Sequence, residues 1–520
     1  MRRVAARHGV PTECEVAIIG AGAAGCLAAA KLAEAGRSVV VLEAGPAWTT
    51  GDLISSQLYS RRLRGPYVRT SGAQPIGIGF NAGRGYGGAA LHHYAVWPRL
   101  HVIDFKLHAA FGEGLDWPFE YETLRPYYDR IQAEVGLSGD TRGEVWRPPA
   151  DPYPMGPLDV LEQGQTLRRG FEKLGIRTAS VPVAINSRPY HGRGACLYDG
   201  WCDAGCPIGA LANPLVTYKP QAERAGARFF AGVRVQRIDC NRAGRVTGVR
   251  YTTGSGITGR LRAGTVIGAA SPLGNSELLL CSTAAGHRNG LGNHTDLVGR
   301  YMMTHAALVV YGMFREHTAP YRGISGAQLI SQDDYRHDAE PGYQWLIAPA
   351  MKPNDVLGVG DSRPGAEGEA LTAFMQRGMH HLANMLAMAE DIPLKSNRLT
   401  FAAGQPVVTH RQSDRTLRAV ARLREQGLAV MRAAGARDAW SGSVGSAHIM
   451  GGTVMGENPA TSVTDPFGRV HDIENLYLVG ASVFPTSGAV NPTFTLHATT
   501  LRTVMHLIGT EHNRRTTAGP

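Results

Sequence analysis

Residues 15–43, EVAIIGAGAAGCLAAAKLAEAGRSVVVLE, begin as an apolar run, pass through a glycine-rich turn and continue into helix formers from Ala24 to Ala35. Gly36 stops that stretch, and SVVVLE is short and β-branched. The pattern predicts strand, turn, helix and strand, one βαβ unit in about thirty residues. Residues 51–110 are Gly- and Arg-rich and loop-like, centred on NAGRGYGGAALHHYAVWPRL. The stretch 117–136 predicts a helix after Pro118. Residues 227–250 alternate apolar and polar on both sides of Asn241–Gly244 and predict a hairpin. GTVIGAA predicts a further buried strand. Between 306 and 401, ALVVYGMF, YQWLIAPA and LTAFMQRG predict strands of a second, sheet-based region. RTLRAVARLREQGLAVMRAAG predicts an amphipathic helix whose arginines form a solvated face. NLYLVG predicts one more strand, and a last helix is expected over 492–508.

Gly20, Gly22 and Gly25 form G-x-G-x-x-G at the junction of the first strand and helix. The first glycine permits the turn, the second lets backbone approach a pyrophosphate, and the third lets the helix pack closely. The helix N-terminus, from Ala23 and Ala24, offers N–H groups and the positive dipole end to phosphate. Glu43, followed by Ala44, ends the second strand where a carboxylate accepts ribose hydroxyls. A second match, GSGITG at Gly254, Gly256 and Gly259, runs into RLRAGTVI, which is no helix, so it reads as a loop between strands. One dinucleotide fold argues for FAD alone rather than FAD with a nicotinamide. The acid at Glu43 argues against a phosphorylated ribose.

At 520 residues the chain is long enough for two domains. Its net charge of +10 comes almost wholly from arginine, since lysine occurs only six times. No basic patch is interleaved with aromatics and no zinc-ligand spacing occurs, which argues against nucleic acid and against a metal site. No window of about 18 apolar residues predicts a membrane span. Arg2-Arg3 is a twin arginine without an apolar stretch behind it, so a signal peptide is not expected. These features lead to the expectation of a soluble, cytoplasmic protein. Cys14, Cys26, Cys240 and Cys281 are scattered singly and read as small buried hydrophobes, while Cys196, Cys202 and Cys206 cluster.

The chain resembles the glucose–methanol–choline (GMC) family of FAD-dependent oxidoreductases. AIIGAGAAG…VVVLEAG at 17–45 is similar to that family's N-terminal signature, and GRGYGGAALHHYAVW at 83–97 to its glycine-rich flavin loop. LGNHTDLVGRYMMTH at 291–305 and SVTDPFGRVHDIENLYLVGASVFPTSGAVNPTFTLHA at 462–498 resemble two further family segments. The resemblance implies an α/β fold: a Rossmann-type FAD-binding domain assembled from 1–110, 215–305 and 441–520, beside an α+β substrate-binding domain from 111–214 and 306–440 built on a large, mainly antiparallel sheet. It implies that Gly88, His92, His93, Val233, Ala270, Gly480 and Ala481 line the FAD, together with Asn491, Pro492 and Thr493. His448, in SAHIMGGTVMG, stands where the family has its active-site base, and Asn491 where the partner of that base is found. His92 has the spacing of a histidine that some family members tether to FAD. The segment 195–218 resembles a cysteine-rich stretch of bacterial sugar dehydrogenases, leaving a structural role, a disulfide, or a cluster or metal open for Cys196, Cys202 and Cys206.

Oxidising a carbinol removes a hydride from carbon and a proton from oxygen. Histidine suits the second task, with an unperturbed pKa of about 6.5. Asn491 can donate an N–H to the same oxygen, while Pro492 restricts Asn491 to extended backbone and is expected at the first helical position, with Asn491 as the helix N-cap. The expected activity is oxidation of a CH–OH group in a sugar, glycoside or polyol, with hydride passing to flavin N5 and electrons leaving to oxygen or a quinone-like acceptor. Tailoring of a natural product, such as an aminoglycoside, is a second enzymatic reading. A flavin-binding electron-transfer subunit is the non-enzymatic one.

Overall fold

In the computed structural model, which describes residues 9–65, 68–333, 335, 336, 340–361, 363 and 366–517, the βαβ unit forms as the pattern predicts. Its elements are the strand Glu13–Ile19, the helix Ala23–Glu34 and the wholly buried strand Val39–Glu43. Continuous apolar runs suit these strands because both faces of a parallel sheet are covered. Arg2 and Arg3 lie outside the described residues.

The seven-stranded sheet around this unit draws its strands from distant parts of the chain. Glu13–Ile19 lies parallel between Val39–Glu43 and Thr258–Gly268, and Arg228–Ala231 adds parallel outside Val39–Glu43. Thr258–Gly268 is long enough to serve two partners on its other side: its first residues pair antiparallel with Val246–Thr253, and its last three pair parallel with Leu476–Leu478. Val233–Cys240 and Val246–Thr253 form the expected hairpin. Residues 228–231, expected within it, leave to join the parallel half instead. The GSGITG segment is a turn between antiparallel strands, with Gly256 at a φ of +85°.

The second sheet is antiparallel and six-stranded, in the order Asp438–Met450, Met303–Met313, Leu382–Ala389, Tyr343–Ile347, Leu329–Ser331, Ala179–Ser180. The amphipathic helix Asp414–Ala434 covers one face, burying Leu423, Val430 and Met431 with Trp345, Leu308 and Val310. The Ser413 side chain caps its N-terminus by accepting from the Thr416 N–H at 3.1 Å, and Gly435, at φ +100°, ends it. A third, three-stranded sheet pairs Arg398–Ala402, Gln405–Thr409 and Arg69–Ser71. The fold is α/β with a mainly antiparallel second sheet, as expected. The boundaries anticipated at 305 and 440 fall inside the strands Met303–Met313 and Asp438–Met450.

One strand expectation is corrected. LTAFMQRG belongs to the helix Gly368–His381. Leu371, Phe374, Met375, Gly378, Met379 and His381 are its less exposed positions, a helical spacing that the short apolar run concealed. The last helix spans Thr493–Thr517, longer than anticipated.

A Cβ on Gly25 would stand 1.9 Å from the Gly20 carbonyl oxygen, whereas one on Gly358, in the helix Pro353–Asp361, meets nothing within 4 Å. Gly25→Ala is therefore expected to lower unfolding stability by about 3 kcal/mol. Gly358→Ala is expected to raise it by about 0.5–1 kcal/mol through helix propensity. Denaturant unfolding of the two variants checks the contrast.

Candidate active site

The glycine turn and the flavin-loop segment meet backbone to backbone. Gly22 and Gly88 are so close that a Cβ on Gly88 would lie 3.1 Å from the Gly22 Cα. Glu43 ties the two segments together. One of its carboxylate oxygens accepts the Ala21 N–H at 2.9 Å, and the other accepts the N–H groups of Gly45 at 2.8 Å and Gly85 at 2.9 Å. Ala44 is exposed beside it. The helix starting at Ala23 has no side-chain cap and no acidic residue in its first turn, which suits its leading N–H groups to an anion. Gly480, at φ +89°, lies over this end, 3.5 Å from the Ala24 Cβ at its own Cβ position, and Ala481 follows it. Val233 is buried just after Gly232, whose N–H donates to the Gly45 carbonyl, and the Ala270 N–H donates to the Asn275 side chain.

His448 lies within the strand Asp438–Met450 but breaks its geometry. Ala447 pairs with His305 and Met450 with Met303, so two residues, His448 and Ile449, stand opposite Thr304 alone. This is a β-bulge, a device that re-aims a side chain. Its cost is visible in the His448 φ of +67°. The Asn81 side-chain oxygen holds the conformation by accepting the His448 N–H at 2.6 Å, and the Thr304 hydroxyl donates to the Ala447 carbonyl at 2.9 Å. The glycines after the bulge then take the chain away from the sheet. Gly451 donates to the Ala481 carbonyl and Gly452 to the Arg300 carbonyl.

The bulge brings the His448 ring to Asn491, whose side-chain nitrogen donates to His448 Nε2 at 3.4 Å. Behind His448 stands His305, fully buried, with the two Nδ1 atoms 2.9 Å apart. His305 Nε2 faces the carbonyl oxygens of Gly488 at 3.0 Å and Ser487 at 3.3 Å. Carbonyls only accept, so this nitrogen carries the proton. Burial holds the His305 pKa down to about 4, so its Nδ1 is a lone pair. His448 Nδ1 must then donate, which leaves a lone pair on His448 Nε2, on the side of Asn491. Desolvation, then the His305 and His93 rings, hold the His448 pKa well below 6.5. The residue is half-buried and its ring is neutral at physiological pH.

Comparison with known proteins decides the family. The GMC oxidoreductase model for the N-terminal domain matches residues 18–307, and that for the C-terminal domain matches residues 366–500. The chain belongs to the GMC oxidoreductase family. It is an FAD-dependent oxidoreductase. Similar proteins include the fructose dehydrogenase large subunit of Gluconobacter japonicus, 28% identical with 94% of this chain and 96% of that one aligned. The 2-methyl-1,2-propanediol dehydrogenase of Mycolicibacterium austroafricanum is 30% identical over 94% of each chain. The 6'''-hydroxyparomomycin C oxidase of Streptomyces lividus is 29% identical, covering 94% of this chain and 90% of that one. Formate oxidase of Aspergillus oryzae superposes with a TM-score of 0.69 at 15% identity, covering 98% of this chain and all of that one, a likeness of fold.

The residues present in this GMC oxidoreductase fit FAD. The side-chain-free approach of Gly22 to Gly88 and the uncapped helix suit a pyrophosphate. His93 adds a second observation: its Nε2 donates to the Ala212 carbonyl at 3.0 Å, so its Nδ1 is a buried acceptor without a partner, as a hydroxyl- or N–H-bearing cofactor requires. His92 Nε2 faces the Ala82 carbonyl at 3.1 Å, and burial pushes its pKa to about 4. The sequence places Pro492 at the first helical position, and the structure corrects this. The Pro492 carbonyl accepts the Leu496 N–H and the helix begins at Thr493, so Asn491 lies one position before the cap and spends its side chain on His448.

Cys196, Cys202 and Cys206 are free thiols, which removes the disulfide alternative. Each sulfur accepts one backbone N–H, from Tyr198, Ser325 and Leu211 respectively. Burial pushes Cys196 up to about 11 and Cys202 to about 12. Among the described residues no His, Cys, Asp or Glu group is arranged to hold a metal, and no helix is long and apolar enough to cross a membrane. Of the single cysteines only Cys26 is buried; Cys14 and Cys240 are half-buried and Cys281 is exposed, against expectation.

Three residues of the site escaped the sequence reading: Asn81, His305 and Gln344, whose side-chain N–H donates to the Asn491 oxygen at 2.9 Å. His305 had a signal, as an imidazole within the otherwise apolar strand MTHAALVVYGM. Asn81 opens the glycine-rich segment 81–100 and Gln344 lies in the strand-like run YQWLIAPA, but neither segment shows what the amide would face.

A buried pair supports the same region. His410 Nε2 lies 2.7 Å from the Asp391 carboxylate and His410 Nδ1 2.6 Å from the Gln74 carbonyl, two acceptors that call for the imidazolium. Asp391 also accepts the Thr304 N–H, and its main-chain N–H and carbonyl bond the Ser487 hydroxyl. Burial opposes the His410 charge, but Asp391 outweighs it and raises the pKa above 6.5. A raised folded pKa stabilises below the unfolded value, and that stability is lost as pH rises through the folded one. Unfolding stability is expected to decline as pH climbs above 6.5 through this raised value, and Asp391→Asn is expected to remove that component; urea unfolding at a series of pH values measures it.

Proposed function

We propose that this enzyme oxidises a CH–OH group of a sugar, glycoside or polyol, with His448 as base and Asn491 as its partner. One observation carries the reading: the His448 Nε2 lone pair and the Asn491 side-chain N–H converge within 3.4 Å of each other. A hydroxyl oxygen that approaches both from one side would give its proton to Nε2 and receive an Asn491 N–H, where negative charge develops. Gly20, Gly22, Ala23, Ala24, Gly25, Glu43, Ala44, Gly88, His92, His93, Val233, Ala270, Gly480, Ala481, Asn491, Pro492 and Thr493 would hold FAD, which would supply the hydride acceptor. His305, its own proton committed to the Gly488 carbonyl, keeps the His448 proton on Nδ1 and the lone pair toward the substrate.

The relatives named for fructose, 2-methyl-1,2-propanediol and 6'''-hydroxyparomomycin C support small, polar alcohols as the substrate class. The aminoglycoside-directed relative favours a second reading, natural-product tailoring. The +10 charge of this chain disfavours a polycationic substrate. Electrons leave to oxygen or to a quinone-like acceptor in a soluble, cytoplasmic setting, and residues 111–214 and 306–440 provide the substrate-binding part.

Anaerobic bleaching of the flavin by a panel of sugars, glycosides, polyols and an aminoglycoside, followed by admission of air, tests the substrate class and the acceptor. Bleaching by NADH but by no alcohol overturns the reading. His448→Ala is expected to retain FAD and to slow flavin reduction on the order of a thousandfold. In the wild type the reduction rate is expected to stay flat from alkaline pH down through 6.5, with its acid limb well below that value, as a neutral His448 requires. Stopped-flow reduction across pH checks both statements.

A further inference from the structure

Asn491 is an amide, and an amide has two ends of similar size and opposite hydrogen-bonding character. Oxygen turned toward His448 Nε2 would present a lone pair to a lone pair and would take the N–H away from the substrate oxygen. Nothing in the local chain prevents this, because both ends are the same shape. The structure resolves the ambiguity from the far side. Gln344, wholly buried in the strand Tyr343–Ile347, donates its side-chain N–H to the Asn491 oxygen at 2.9 Å. Its own oxygen accepts from the Gln332 side chain at 3.2 Å, and the Gln332 oxygen faces His101 Nε2 at 3.0 Å. The His101 ring is held flat against Tyr335, with centroids 3.8 Å apart.

From His101 to the Gly488 carbonyl this is one unbroken row of side chains, each donating in a single sense up to Asn491: His101, Gln332, Gln344, Asn491, and then His448 and His305. Reversing any one amide leaves two lone pairs or two N–H groups facing each other in a buried site, which costs the desolvation of both. The two ends agree. The Ser487 and Gly488 carbonyls dictate a lone pair on His448 Nε2; the His101 side chain accepts the Asp104 N–H, which leaves the His101 proton on Nε2, and the row from there dictates an N–H pointing at His448.

We infer that Gln344, backed by Gln332 and His101, is a positioning residue for the reaction, which sets which end of the Asn491 amide faces His448 and the substrate hydroxyl. The inference rests on the proposed role of His448 and Asn491. Gln344 touches neither base nor hydroxyl and acts through Asn491.

Gln344→Met keeps the length and bulk of the side chain and removes both its donor and its acceptor. Gln332→Met removes the support one step further back. With Gln344→Met, Asn491 is free to turn its oxygen to His448 Nε2 and to favour a proton there. The groups acting electrostatically on His448 are His305 and His93, and neither is altered. The expected result is flavin reduction slowed about tenfold to a hundredfold at saturating substrate with little change in apparent substrate affinity. The acid limb of the rate should move up toward neutrality, with a weaker effect in the same direction for Gln332→Met. Nitrogen-15 histidine spectra, with the His448 signals assigned from their loss in His448→Ala, report the same shift without turnover. An unmoved His448 titration in both variants, or reduction at the wild-type rate in both, overturns the inference. A wild-type flavin that no alcohol bleaches overturns the proposed function instead, and the spectra still decide the role of Gln344.

Discussion

The site depends on one residue held in a backbone conformation that its side chain disfavours. A non-glycine residue at positive φ costs about 1–3 kcal/mol and persists only where surrounding bonds over-determine it. At His448 they do: the Asn81 side chain takes its N–H, the Thr304 hydroxyl donates to the preceding carbonyl, and the Gly451 and Thr453 N–H groups dock on the carbonyls of Ala481 and Ser482. Were the strand regular, His448 and Ile449 would simply alternate sides along the sheet edge, and no second imidazole could stand behind the first at 2.9 Å. The strain at the bulge is thus the means by which a sheet of ordinary register presents an imidazole at one point.

Around that bulge many polar groups are buried and bonded to one another. The loop 486–491 is held from three directions. Trp117 and Asp104 engage the Thr486 hydroxyl, the Tyr335 hydroxyl accepts the Ala489 N–H while donating to Asp104, and Asp391 engages Ser487. Arg336 bridges Asp104 and the buried Glu390, compensating charges that would be costly alone. The loop therefore reaches Asn491 with little freedom left, and the carbonyls of Ser487 and Gly488 stand where they set the tautomer of His305. Electrostatic preorganisation of this kind acts in the transition state without further rearrangement.

The cofactor end is built on the same logic with backbone in place of side chains. Glu43 spends both oxygens on three N–H groups from the turn, its own strand end and the flavin loop, so the distance between Gly22 and Gly88 is set by a carboxylate. Gly480 closes the same space from the C-terminal part of the chain. One long strand, Thr258–Gly268, permits this by pairing with an early segment on one side and a late one on the other.

The sequence by itself determined what local pattern and short motifs can carry. The βαβ unit, the glycine turn, the dismissal of GSGITG, the helix Asp414–Ala434 and most strands follow from periodicity and turn chemistry within a dozen or so residues. His448, Asn491, Gly22 and Gly88 could be singled out because each sits in a recognisable segment, and the structure brings them together in pairs. LTAFMQRG misled because eight residues are too few to separate a half-buried helix from a strand. Only the tertiary structure decided the rest. Asn81 lies 367 positions from His448, Gln344 lies 147 from Asn491, and His305 lies 143 from His448. Whether an amide or an imidazole at such a separation becomes a partner depends on the register of two sheets and on a single extra residue at a bulge. Hydrogen-bond direction, moreover, is a property of a closed network of donors and acceptors, and no stretch of chain contains the whole of one.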